Sequence, residues 1–299
     1  MTDAVLSAVP ATLQEELESP ARRALRRLFK RKGAVAGLVV IAAFVLLALF
    51  APLVVPYDPI ATSWSLVRKA PSAQHWFGTD DLGRDIFARV IYGARASLMA
   101  GAISVGIALC IGVPFGLLSG YRGGFIDGLI SRITDAMLAC PFLILAIALA
   151  AFLGPSLGNA MIAIGISATP IFVRLTRGQV MSVKVEDYVE AARAMGNPRG
   201  RIALFHILPN IMPALLVQAT LSIAAAIIAE AALSFLGLGI RPPFPSWGSM
   251  LSEARDQIRA APWLSVFPGL AIFFTVLGLN LLGDGLRDIL DPQSQTRRA

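Results

Sequence analysis

Five long stretches of this chain carry no charged side chain: Gly33–Val55, Ala96–Gly120, Ala136–Val173, Ile207–Ala229 and Ala260–Gly283. Each reaches the length of about 20 residues that an α-helix needs to cross a hydrocarbon core. Lipid offers no hydrogen-bond partners, so a spanning segment of this kind must satisfy its own backbone, and helices do so within one segment. The third run is interrupted by Gly154-Pro155-Ser156-Leu157-Gly158-Asn159, a cluster of turn-forming residues, and is read as two spans joined by a tight loop. The expected fold is an all-α integral membrane bundle of six transmembrane helices. Composition agrees: 56% hydrophobic residues, 15% charged and a mean hydropathy of +0.69 leave more apolar surface than one soluble core can hide.

Basic residues near spans stay on the cytoplasmic side. Seven precede the first run (Arg22, Arg23, Arg26, Arg27, Lys30, Arg31, Lys32), and with that end inside, 18 of the 26 Lys and Arg fall in inner segments. Both termini are therefore expected in the cytoplasm. The chain divides into a cytoplasmic tail (1–32), a first span (33–55), an external segment (56–95), a five-helix core (96–286) with a cytoplasmic loop at 176–209, and a second tail (287–299). The net charge of +7 is positive-inside bias flanking the spans, and no nucleic-acid role follows from it. The first run is too long for a secretory h-region and lacks a small-x-small cleavage site at Ala51-Pro52, so it is expected to remain as an anchor.

Most polar features have structural readings. Gly112, Gly116 and Gly120 form a small-xxx-small ladder suited to close helix approach in lipid. Asp135 and Glu230 lie nearest the span interiors with no matching cation in either span, and interhelical hydrogen bonding is favoured over ion coupling. Cys110 and Cys140 fall within spans as small apolar residues. His75, Asp80, Asp81 and Asp85 could in principle ligate a metal. Their irregular spacing instead reads as a turn and helix cap, with Thr79 or Asp80 accepting from free backbone N–H groups. After the fifth span, Trp247, Leu251, Ala254 and Ile258 share one helical face, which suggests an interfacial or gate-covering helix.

No G-x-x-x-x-G-K-[ST] loop occurs, so the chain has no evident means of cradling a nucleotide. The two histidines, His75 and His206, fall on opposite sides and cannot form a triad or a two-histidine zinc site. What remains is a polar island from Glu186 to Pro209. It reads as two short helices meeting at a corner. Glu186 and Asp187 place negative charge at a helix start, Gly196-Asn197 stops that helix, and Pro198 suits the first turn of the next. Tyr188, Ala191, Ala192 and Met195 fall at i, i+3, i+4 and i+7, with Glu190 and Arg193 flanking them. Too short to be stable alone, the first helix is expected to dock into a groove of a cytoplasmic partner. The alternative is a solvated hairpin with no partner.

Glu190-Ala191-Ala192, Gly196 and Leu208-Pro209 resemble the EAA motif of ABC-importer permeases, E-A-A-x3-G-x9-I-x-L-P. His206 stands where that pattern has Ile, and His-Ile-Leu-Pro-Asn at 206–210 is similar to the peptide-importer branch. Three more segments resemble that branch: 75–85, Leu233–Gly239 with Pro242, Pro243, Trp247 and Gly248, and Leu282–Asp288 with Asp291 and Pro292. The likeness runs from Arg22 to Pro292. It implies a type I ABC importer permease of the dipeptide/oligopeptide C kind, in a bacterial or archaeal cytoplasmic membrane. It further implies a second, homologous permease, two cytoplasmic ATPases that alone hold ATP and Mg, and an external or periplasmic solute-binding protein. The chain itself would be non-catalytic and bind no cofactor. Docking to the ATPase is carried by Tyr188, Glu190, Ala191, Ala192, Met195, Gly196, Leu208 and Pro209. The resemblance leaves nickel chelate, glutathione or sugar as alternative cargo. An ion-coupled secondary transporter and a membrane scaffold are the rival classes. The first calls for paired intramembrane charges and inverted repeats, which the sequence does not display.

Overall fold

The computed structural model describes Arg26 and residues 28–290, so most of both tails lies outside the described residues. In chain order the helices are α1 (Lys32–Leu49), α2 (Ala51–Val54), α3 (Ile86–Arg122), α4 (Gly124–Ala139), α5 (Phe142–Leu153), α6 (Leu157–Val183), α7 (Asp187–Ala194), α8 (Arg199–Arg201), α9 (Leu208–Phe235), α10 (Trp247–Ala254) and α11 (Trp263–Leu290). A π-helical segment, Ile202–Ile207, joins α8 to α9.

Among the described residues, five helices are long and apolar enough to cross a membrane: α1, α3, α6, the continuous run Arg199–Phe235, and α11. The span expected just before the tight loop belongs to a bent pair of helices. α4 and α5 meet at a 92° bend, so six spans result when this pair is taken as one. The bend falls at Cys140-Pro141, since Pro141 has no N–H to continue the helical ladder and stands as the N-cap of α5. The tight loop lies where the turn residues put it. Ser156 accepts from the Asn159 N–H at 3.0 Å and starts α6, while the Asn159 side chain ties back to the carbonyls of Leu153 and Gly154.

α3 and α6 form the spine of the bundle, and the glycine ladder is the reason they lie so close. A Cβ at Gly112 would sit 2.6 Å from the Phe172 Cβ, one at Gly116 2.5 Å from the Thr176 Cβ, and one at Gly120 2.8 Å from the Arg177 carbonyl. Any larger side chain would push the backbones apart. Against this pair pack α5 and the first half of α9, burying Ala146, Ala150, Ile164, Phe172, Ile211 and Leu215. A second cluster joins α1, the start of α3, α10 and α11 through Ala48, Ile86, Trp247, Leu264 and Ala271.

The structure revises three expectations. α3 begins at Ile86 rather than near Ala96, because Asp85 caps it by accepting from the Ala88 N–H at 2.8 Å. Thr79 and Asp80 do accept from loop N–H groups, those of Lys69 and of Leu82 and Arg84, but neither caps the helix. The acids beside His75 are engaged otherwise: His75 Nδ1 lies 2.9 Å from Asp85, and Asp80 accepts from Arg84 Nε at 2.6 Å. Next, the Trp247 face of α10 does not lie open to a membrane surface but packs into the bundle. Trp247 is fully buried, donates its indole N–H to the Val90 carbonyl at 2.9 Å, and leaves Ile258 exposed beyond the helix end. Burial of the indole with its one donor satisfied is the usual arrangement for a core Trp.

The third revision concerns charge. Arg174 and Arg177 lie inside α6, which continues to Val183, and both meet carboxylates of α4. Asp135 therefore has the cation that was missing from the sequence reading, Arg174 at 2.5 Å, and Asp127 accepts from Arg177 at 2.6 and 2.8 Å. Glu230 does make interhelical hydrogen bonds. It accepts from Ser97 of α3 at 2.9 Å, and from Ser234 one turn along at 2.7 Å, in a fully buried position.

Candidate functional site

The polar island is an elbow set between two long helices. α6 runs to Val183, three residues turn the chain, and α7 begins after Glu186 with Asp187 and Glu190 in its first turn and Arg193 in its last. That order of charges complements the helix dipole and helps a helix of only 8 residues to persist. Its tertiary anchor is the pair Val189 and Ala192, one turn apart, which are 0% and 1% exposed and pack in the main core with Ile202 and Ile207.

This orientation corrects the expected docking face. Tyr188 (41% exposed) and Met195 (74%) point outward with Glu190 and Ala191, but Ala192 points inward. Its small side chain lets α7 approach its own bundle rather than a partner. Leu208 packs beside the core at the start of α9, and Pro209 is exposed next to it. The outward set is thus Tyr188, Glu190, Ala191 and Met195, with Gly196 at the corner.

The corner has a specific geometry. The Gly196 N–H bonds the Arg193 carbonyl at 3.0 Å, and the Asn197 N–H bonds the Ala192 carbonyl at 3.3 Å. These two bonds are a Schellman cap, which needs a left-handed residue at Gly196, where φ is +79°. The Asn197 side chain adds a second bond to the same Ala192 carbonyl at 3.0 Å.

The second arm is not the short helix expected. From Arg199 the chain stays helical to Phe235, passing through the π segment Ile202–Ile207. Pro209 accounts for that segment: its ring conflicts with the carbonyl four residues back, and a wider turn just before it relieves the conflict without breaking the helix. The elbow is consequently bolted to a rigid span on each side.

Two polar residues that the sequence reading did not single out fasten it. Lys184 Nζ donates to the Gly120 carbonyl at 2.9 Å, tying the entry of the elbow to the end of α3. Asn210 donates to the His206 carbonyl at 2.7 Å across the π segment and also meets the Tyr188 hydroxyl. Burial, and then the nearby Glu186 carboxylate, push the Tyr188 phenol above its usual pKa, while the Asn210 contact acts the other way. The presence of Asn210 in the His-Ile-Leu-Pro-Asn run was the available signal, but sequence spacing alone does not show that it reaches α7.

At the opposite end of the bundle lies a second polar assembly. Glu253 of α10 bonds Arg84 at 2.7 Å and Arg89 at 3.1 Å, and Arg89, 1% exposed, also reaches the carbonyls of Pro59 and Pro243. It locks the 56–85 segment, α3 and α10 together. Among the described residues no group of three or more His, Cys, Asp or Glu side chains could hold a metal ion.

Comparison with known proteins places this architecture. Residues 112–295 match the family described as binding-protein-dependent transport system inner membrane component, and residues 19–71 match the N-terminal TM domain of oligopeptide transport permease C. Similar proteins include a dipeptide transport system permease protein DppC of Alkalihalophilus pseudofirmus, 52% identical over 93% of this chain and 91% of that one. A di/tripeptide permease DppC of Pseudomonas aeruginosa is 47% identical over 92% and 93% of the two chains. A glutathione permease GsiD of Pectobacterium atrosepticum is 42% identical over 97% of each. In fold, the chain is similar to a chain of the inward-facing MetNI methionine ABC transporter, with a TM-score of 0.57 at 20% identity over 68% of this chain and 97% of that one. With its helical bundle and elbow, the chain belongs to the inner-membrane permease family of binding-protein-dependent ABC importers, in the dipeptide/oligopeptide C-type branch.

Proposed function

We propose that this permease forms half of a translocation pathway for di- and oligopeptides, pairs with a second homologous permease, and is driven by two cytoplasmic ATPases that grip its elbow. The observation that carries the coupling role is the elbow's construction. Its outward residues sit on a short helix capped at Gly196, and after the four-residue corner 195–198 the chain is helical from Arg199 to Phe235, so a push on α7 passes through a tight, hydrogen-bonded corner to a span rather than into a long loop. Peptide cargo is supported by the dipeptide and di/tripeptide permeases at 52% and 47% identity. Glutathione, named for a relative at 42%, is itself a small peptide.

ATP and Mg belong to the partner ATPases in this mechanism, and the chain does no bond chemistry. Closure of the ATPase pair moves α7, and the bundle shifts from inward- to outward-facing while a solute-binding protein is engaged outside. Glu190→Lys reverses an exposed charge on the docking face without touching the core. It is expected to abolish ATP-dependent peptide uptake and co-purification of the ATPases while the permease remains inserted. Normal uptake by that variant would sink the coupling assignment.

A further inference from the structure

Four charged side chains stand on the facing sides of α4 and α6: Asp127, Asp135, Arg174 and Arg177. The Asp127–Arg177 pair is internally complete, since Asp127 also accepts from Ser119 at 2.5 Å and from Ser131 at 3.3 Å. The Asp135–Arg174 pair differs. Both side chains are 62% exposed, and among the described residues the only hydrogen bond of either is to the other. A guanidinium has five N–H donors and a carboxylate about four acceptor sites, so most of their capacity is unused.

Charged groups on spanning helices do not face acyl chains; they face protein or a water-filled cavity. Here the surrounding shape is a cleft of about 380 Å³ lined by Ser131, Thr134, Asp135, Val173, Arg174 and Arg177. Its size falls in the range of roughly 300–1,000 Å³ usual for small-molecule sites. An acid and a base side by side in a membrane cleft match a molecule that itself carries one ammonium and one carboxylate.

We propose that this cleft is a cargo-facing station of the pathway, in which Asp135 receives the α-ammonium and Arg174 the α-carboxylate of a short zwitterionic peptide. The proposal rests on the peptide-importer reading above and adds a place within this chain where the cargo is held. The ion pair opens to admit the zwitterion, trading one internal salt bridge for two to the ligand, so net charge in the cleft is conserved.

The test uses the full importer complex with Cys110 and Cys140 replaced by Ala and a Ser131→Cys substitution. In the nucleotide-free complex a charged, water-soluble methanethiosulfonate reagent should modify residue 131. Millimolar dipeptide added from the cytoplasmic side should slow modification at least threefold, and the same dipeptide capped as its N-acetyl amide should not. Adding Asp135→Asn with Arg174→Gln should remove the protection while residue 131 stays reactive. Failure of the reagent to react would show that lipid or the second permease covers the face, overturning the proposal. Equal protection by both peptides, by neither, or persisting without the two charges would overturn it as well. Dipeptide uptake by the unsubstituted complex tests the underlying peptide reading separately: uptake without protection defeats the station alone.

Discussion

Replacement of Gly196 tests the coupling geometry most directly, because its role is conformational. No heavy atom lies within 4 Å of a Cβ built there, so a side chain meets no steric obstacle, yet φ is +79°. An L-residue other than Asn or Asp pays about 1–2 kcal/mol to hold that conformation. A cost of that size lowers the ratio of capped to uncapped elbow by a factor of about 5–30. Gly196→Ala should therefore reduce coupled transport by up to that factor, Gly196→Asn by less, and Gly196→Val by more because β-branched residues are worst at positive φ. The assay is peptide uptake and peptide-stimulated ATP hydrolysis in proteoliposomes of the complete importer. Thermal unfolding of the permease should barely change, since the corner is exposed and outside the bundle core. Were Asn no better tolerated than Val, or Ala indistinguishable from Gly, the corner would not act through its left-handed cap.

Two other expectations follow from packing and charge. Gly116→Val places a branched side chain where the Thr176 Cβ would lie 2.5 Å and the Val173 carbonyl 2.7 Å from its Cβ; it should cost at least about 1–3 kcal/mol in detergent unfolding, whereas Gly106→Ala, in open space, should be neutral, and equal effects would contradict the ladder. Glu253→Gln removes one of the two carboxylates, with Asp80, that buried Arg84 and Arg89 share, and should destabilise by about 1–3 kcal/mol and increase proteolysis in 56–85; an unchanged melting profile would show that the Glu253 pairs contribute little.

Residues whose role follows from local chemistry were legible in the sequence. Gly112, Gly116 and Gly120 read as a packing seam because small residues at four-residue spacing line one helix face, and they meet α6 as that spacing requires. Gly196-Asn197 read as a stop because few residues other than Gly accept a left-handed cap. Residues whose role depends on distant partners were not legible. The uncharged run ends at Val173 and so makes Arg174 a loop cation by sequence, although the helix continues to Val183. Ala192 was placed on an outward face because helical periodicity identifies a stripe but not which neighbour covers it. The same periodicity gives the Trp247 face as an interfacial or gate-covering one without showing that α1, α3 and α11 bury it, and Asn210 and Lys184 gain their roles only from contacts with Tyr188 and Gly120.

The sequence by itself determined that this chain is a helical membrane bundle, where its turns fall, and that a polar elbow with a glycine-capped corner interrupts its apolar runs. Those properties follow from run length, backbone hydrogen bonding in lipid and residue-specific caps, which act over a turn or two of chain. Only the tertiary structure decided that α4 and α5 meet at a 92° bend, that Val189 and Ala192 anchor the elbow inward, and that Asp135 meets Arg174. Each of these depends on which faces of separate helices come together, a choice made by packing across the bundle and not by the spacing of residues along it.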